Sequence, residues 1–222
     1  CDELVNELLM LMPSLAADAL CAHIGAFDDA KALELLRRRG ELNLDMSRVQ
    51  ALLTKWGGQP SSGAVSYVVT AASRELKKAK KLPQGGANWP FSSDGFPHTV
   101  DLSTTGDVEA VRLTKVHIKN HWRDRDTVKN CRVDFKNREG VWQEGPAFQS
   151  MQTSGRQTFD VSMAGFVSEW RFVVLDTYGG YSCVDKVAFE GISGSSIFDA
   201  LVHLRGADGR NELVNELLML MP

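Results

Sequence analysis

The chain has 222 residues, of which 43% are hydrophobic and 24% charged, a globular mix that excludes whole-chain disorder. A net charge of −3 advertises no polyanion partner, so no nucleic acid is expected. No apolar run reaches the ~18 residues that a membrane span needs. At roughly 100–200 residues per domain, one large or two small domains fit.

From the N-terminus, CDELVNELLMLMP lacks a basic n-region and a small-residue cleavage site, so it reads as helix and not as a secretion signal. Leu4, Leu8, Leu11 and Met12 recur at spacings of three and four, which places them on one helix face. Pro13 ends that helix and Ser14 can cap the next, which runs through Leu15, Ala19, Leu20 and Ile24 to Gly25. Asp28 caps a third, through Ala32, Leu33, Leu35 and Leu36 to Arg37-Arg38-Arg39, where cations suit the helix C-terminus. Ser47 to Trp56 fits a short fourth helix. Helices of about ten residues make a very small core, marginal alone.

The run GGQPSSGA at 57–64 reads as a linker. After it the period changes to two. Strands are expected at 67–69, 111–118, 133–135, 159–161, 170–175 and 184–189, separated by Gly, Pro, Asn and Ser clusters. Short strands with long loops argue for an antiparallel sandwich. Charge follows the same divisions: residues 1–58 carry net −3, 65–193 net +2 and 194–222 net −2. The expected organisation is therefore α+β and multi-domain. It comprises a helical bundle at 1–58, a linker at 59–64, a β-sandwich at 65–193, and a linker with one helix at 194–222.

The ends repeat each other. ELVNELLMLMP occupies 3–13 and recurs letter for letter at 212–222. The offset is domain-sized, so a tandem array cut just inside its next copy gives this pattern. A duplication introduced in assembling the sequence gives the same string. Two copies competing for one groove would favour domain-swapped self-association. Four cysteines without a C-x-x-C pair make neither a disulfide scaffold nor a zinc site. A reducing compartment, cytoplasmic or nuclear, is expected.

Two resemblances add to this. The N-terminal stretch resembles the UBA/CUE class of three-helix ubiquitin-binding domains. It carries Leu11-Met12-Pro13, Ala19-Leu20, Gly-Ala-Phe-Asp-Asp at 25–29 and Leu35-Leu36. In that class a Met-Phe-Pro motif and a di-leucine grip ubiquitin, so the resemblance implies Leu11, Met12, Pro13, Leu35 and Leu36 as the ubiquitin-binding residues, with the aromatic absent. The second segment resembles the discoidin family, the coagulation factor V/VIII C-type domains, which are galactose-binding-like jelly rolls. The matching stretches are VSYVVTAASREL at 65–76, NWPFSSDGFPHTVDLS at 88–103, VRLTKVHI at 111–118, VDFKNREGVWQ at 133–143, EWRFVVLD at 169–176 and CVDKVAFEG at 183–191. Ser93 to His98 is similar also to DOC-type domains of ubiquitin-ligase assemblies.

The departures are chemical. The cysteine pair that bridges many secreted members is missing, and Cys131 and Cys183 fall inside expected strands. The family's calcium turn is Leu82-Pro83-Gln84-Gly85 here, without its acid, and Lys186 stands where a Glu would complete the site. A hard cation needs oxygen ligands, so no metal and no cofactor is expected.

The resemblance implies ligand binding through loops at one end of the sandwich, where a rigid scaffold presents variable residues. The candidate residues are Trp89, Phe91, Asp94 and His98 in the first loop, and Trp122, Arg123 and Asp124 in HWRDRD. Asp176, Tyr178 and Tyr181 come from DTYGGYS. Aromatics supply apolar area, while Arg and Asp supply directional hydrogen bonds. Equally, Trp89, Phe91 and Phe96 fit a plug in the barrel, and HWRDRD a self-paired charge loop. Catalytic motifs are missing: there is no G-x-S-x-G elbow, Walker loop or G-x-G-x-x-G fingerprint. His117 and His121 would lie about 13 Å apart on a strand, too far to share a metal. The basic run RELKKAKK at 74–81 reads as a solvated turn. The expected function is a non-enzymatic binding module for a protein or peptide, ubiquitin among them. The alternative is a carbohydrate-binding module of discoidin type with a glycan partner.

Overall fold

The computed structural model describes residues 53–54, 58–92, 95–105, 110–121, 123, 126–137, 139–163, 165–179, 181–194, 196–197 and 200. Except for Leu53, Thr54 and Gly58, the expected helical bundle lies outside the described residues. So do Leu11, Met12, Pro13, Leu35 and Leu36, and both copies of the 11-residue repeat.

Ser62–Ser193 is one compact unit, and it is an antiparallel β-sandwich. Cys1–Ser61 and Gly194–Pro222 make up the other unit, of which Leu53 and Ile197 are buried. The first sheet is built on β11 (Tyr181–Ser193), which pairs with β1 (Gly63–Ala64), β3 (Trp89–Ser92) and β5 (Val111–Asn120). β5 in turn pairs with β9 (Arg156–Asp160). The second sheet runs β2 (Tyr67–Ala72), β4 (His98–Thr104), β10 (Glu169–Val174), β6 (Asn130–Lys136) and β7 (Trp142–Gln143). β8 (Ala147–Gln149) also pairs with β6. A single helical turn, α1 (Leu76–Ala79), follows β2.

The six expected strands are all present, because alternation puts their apolar residues on one face. Tyr67 and Val69 face inward from β2, and Trp170, Phe172 and Val174 from β10. Three rings join the two sheets. Tyr67, Trp170 and Phe189 meet edge to face, with centroids 5.5–5.9 Å apart. Such geometry adds to burial because a ring's positive edge meets a negative face. The buried Tyr67 hydroxyl donates to the Val187 carbonyl across the sandwich, at 2.5 Å, so its polar tip is satisfied. Burial pushes that phenol well above its ordinary pKa.

Beyond these six, β4, β7 and β8 are also strands, and two further segments depart from the expected loop and linker. Trp89–Ser92 is a strand and not a loop, because β11 offers it a hydrogen-bonding edge. The linker ends in β1, whose Gly63 lies opposite Gly191. Gly191 sits at a register slip in β11. A Cβ there would lie 2.8 Å from the Arg112 carbonyl, so only glycine lets the strands approach.

The outer face of the second sheet is a ladder of paired charges. Arg171 on β10 makes a bidentate bridge to Asp101 on β4, at 2.5 and 2.8 Å. Arg132 bridges Asp134 at 2.6 and 3.0 Å and reaches Glu144 at 2.7 Å. Lys136 meets Glu169 at 2.9 Å. The indole of Trp142 lies under the Arg171 guanidinium, 4.1 Å from its centroid. Hydrogen bonds to Asp101 and to Asp134 push the Arg171 and Arg132 guanidinium groups further above their already high values. These charges are held by one another, which leaves the face poor in free donors.

Candidate functional site

Strand register gathers the loops at one end of the sandwich. β3 ends with Ser92 opposite Tyr181, and β4 begins with His98 opposite Val174. β5 ends with Asn120 opposite Val184, and β8 ends with Gln149 opposite Asn130. The described residues next to these strand ends, 95–97, 121, 123, 126–129, 150–155 and 175–179, therefore all emerge together.

This end is tied by a dense set of backbone bonds. His121 N–H donates to the Cys183 carbonyl at 3.0 Å, and Cys183 N–H to Asp126 at 3.2 Å. Tyr178 N–H donates to the Thr127 carbonyl at 3.1 Å, Lys129 N–H to Asp176 at 2.9 Å, and Ser150 N–H to Lys129 at 2.8 Å. Buried polar side chains complete it. Asn120 is 1% exposed. It donates to the Thr153 carbonyl at 3.2 Å and accepts from Val128 N–H at 3.4 Å. The Ser150 hydroxyl donates to the Val128 carbonyl. Buried polar groups cost free energy unless satisfied, so this network fixes the backbone at 120–121, 126–130, 150–153 and 176–178.

On this platform stand Asp176, Tyr178 and Lys129. Asp176 accepts from Thr177 N–H at 2.8 Å and from the Asn130 amide at 3.4 Å, and its side chain is 45% exposed. The Lys129 ammonium lies 3.7 Å from Asp176 and 5.8 Å from the Tyr178 ring centroid. The half-buried Tyr178 donates its hydroxyl to the Ser150 carbonyl at 2.8 Å. A carboxylate, an amide, an ammonium and one aromatic ring thus share a small area, fixed from beneath.

Two expected ligand residues are core residues instead. Trp89 is fully buried, and its indole N–H donates to the Arg74 carbonyl at 2.8 Å. His98 is 2% exposed, with its ring 4.8 Å from that of Phe96. Both belong to strands whose register turns them inward, so neither offers surface to a ligand. Arg123 is exposed in the second loop. Phe91 lies in β3 and Tyr181 in β11, with only their backbone register described. Asp94, Trp122 and Asp124 lie outside the described residues. Lys129, Asn130 and the 150–155 loop were not singled out in the sequence, because KN and SMQTSG carry no motif.

Elsewhere the structure assigns structural roles. His117 is 7% exposed and is held between the Thr158 hydroxyl at 2.7 Å and Glu190 at 2.8 Å. Cys131 and Cys183 are free and buried, and burial pushes the Cys131 thiol far up. The basic run at 74–81 contains the turn α1, anchored by buried Ala79. At the opposite end of the sandwich, a cavity of about 290 Å³ opens between Phe135, Met163, Phe166 and Val167. Among the described residues, no group of three His, Cys, Asp or Glu is placed to hold a metal ion, and no helix is long and apolar enough to cross a membrane.

The calcium turn of discoidin domains can be tested directly. The Lys81 carbonyl already accepts from Gln84 and Gly85 N–H, at 3.1 and 3.0 Å. A Cβ on Gly85 would lie 3.5 Å from Lys186 Cδ, so a lysine stem packs against the turn. That donor set does not fit calcium, which takes six to eight oxygens.

No protein-family model and no curated protein sequence matches the chain. Solved structures do. One is a family 32 carbohydrate-binding module from Clostridium perfringens, in complex with GalNAc-β-1,3-galactose. It is 11% identical, with 57% of this chain and 99% of that one covered and a TM-score of 0.45. A second C. perfringens family 32 module, in complex with galactose, is 13% identical, covering 59% and 99% at a TM-score of 0.44. An F5/8 type C domain from Bacteroides fragilis is 15% identical, covering 60% and 99% at a TM-score of 0.47.

Proposed function

We propose that the sandwich is a non-catalytic recognition module that binds a carbohydrate at its loop end. The observation that carries this reading is the preorganised platform under Asp176, Tyr178, Lys129 and Asn130. A sugar ring has C–H faces that pack on an aromatic ring, and equatorial hydroxyls that both donate and accept. Asp176 and the Asn130 carbonyl accept from hydroxyls, while Lys129 donates. Because the loops are already tied, binding costs little ordering entropy, which favours a small polar ligand with few contacts.

The experiment is a glycan array probed with the 222-residue chain, followed by calorimetric titration of the best hit. Tyr178→Ala and Asp176→Ala are each expected to weaken that binding about tenfold or more, since hydrogen bonds to charged groups and ring contacts are worth 1–3 kcal/mol. An array without hits, or affinity unchanged in both variants, would overturn the reading.

A further inference from the structure

Met151 is 69% exposed, the most exposed large hydrophobic residue among those described. A lone exposed methionine on a loose loop needs no explanation. This one is not on a loose loop. Gln157, near the start of β9, occupies an inward position and is 8% exposed. Its amide oxygen accepts from Met151 N–H at 2.7 Å, and its amide nitrogen donates to the Met151 carbonyl at 3.0 Å. One buried side chain thus plays the part of a β-strand partner for a single residue. Thr153 N–H adds a bond to the same carbonyl, at 2.8 Å. On the other side, the Ser150 carbonyl holds the Tyr178 hydroxyl at 2.8 Å.

The backbone is therefore fixed on both sides of Met151, while the thioether itself stays in solvent. A glutamine at a core position costs desolvation, and here both of its bonds go to fixing the backbone of the residue that follows Ser150, whose carbonyl the Tyr178 hydroxyl holds. Methionine suits contact with irregular apolar groups because its thioether is flexible and polarizable.

We infer that Met151 is an apolar contact of the ligand at this loop end, and that Gln157 is the residue that positions it. The inference rests on the carbohydrate reading above and narrows it. The ligand is a saccharide that carries a methyl group beside its ring hydroxyls, as an N-acetyl sugar does. Tyr178 receives the ring, and Met151 receives the methyl.

The test uses the full chain labelled at the methionine ε-methyl groups, of which the sequence has seven. The probes are the methyl β-glycosides of N-acetylglucosamine and N-acetylgalactosamine, each against its parent glucoside or galactoside. The Met151 signal, assigned by its loss in Met151→Leu, is expected to shift with an N-acetyl sugar and to shift less with its parent. Met151→Ala should weaken the N-acetyl sugar about fourfold and change the parent by less than about twofold, the scale of one buried methyl-sized contact. Gln157→Ala should collapse the same preference. General loosening of the sandwich would instead lower both affinities together and leave their ratio alone. If Tyr178→Ala abolishes binding of both sugars while Met151→Ala alters neither ratio nor shift, the Met151 inference falls and the carbohydrate reading stands. If no sugar shifts any methyl signal and none binds, both fall.

Discussion

The outer face of the second sheet and the loop end use the same residue types for opposite purposes. On the sheet face, Arg171, Asp101, Arg132, Asp134 and Trp142 are spent on one another, in bidentate bridges and a ring stack. At the loop end, most bonds lie beneath the surface, among Asn120, Ser150, Gln157 and the backbone; Asp176 stays 45% exposed beside its partners Asn130 and Lys129, and Met151 69%. Charge and aromatic content alone therefore say little about which surface is open to a ligand. What separates the two regions is whether polar capacity is consumed laterally by neighbours on the same face or used from below to hold a loop still.

The sharpest break in this comparison is expected from Asn120→Ala. It removes two bonds from a buried side chain and strands the Thr153 carbonyl and Val128 N–H. A stability loss of about 1–3 kcal/mol is expected by denaturant titration, together with weaker sugar binding, because the platform is released. Asp101→Ala should cost somewhat less, about 1–2 kcal/mol, since both partners of the bridge are about a quarter exposed and part of the bridge is screened. Sugar affinity should not change, and a parallel loss of affinity would end the distinction between the two regions. The smallest effect concerns Asp160. Hydrogen bonds from the Ser162 hydroxyl, then from its N–H, hold that exposed carboxyl below its ordinary range. A depressed folded-state pKa gives stability that is present above the unfolded value, near about 4, and lost as pH falls through the folded value. Asp160→Asn should lower the melting temperature slightly at neutral pH and leave it unchanged at pH values below the folded pKa, so that the acid limb of the profile flattens.

Much of the sandwich was legible in the sequence because alternation is local. Val111 to Ile118 and Trp170 to Val174 declare a buried face without reference to any other segment. β3 was not legible. NWPFSS has a loop composition, and it becomes a strand only because β11, about ninety residues later, exposes an edge to it. β4 was not among the expected strands, although buried Val100 and Leu102 alternate with the outward Thr99, Asp101 and Ser103, and Asp101 finds its partner Arg171 seventy residues away. The candidate site was legible in part. Asp176, Tyr178 and Arg123 fall in loops at the shared end, whereas Trp89 and His98 belong to the core. Gln157 left one signal, a polar residue on the inward period of a strand that continues with Phe159 and Val161.

The period of two, the change of pattern after 57–64 and the sparse cysteines were determined by the sequence alone, since each depends on neighbours within a few residues. The assignment of any given aromatic or charge to core, ladder or ligand surface was decided by tertiary structure. The physical reason is that burial and hydrogen-bond satisfaction are set by partners distant in the chain. Trp89 and Tyr178 are both aromatic residues among small and polar neighbours, and only strand register buries one in the core and leaves the other at the loop end of the sandwich.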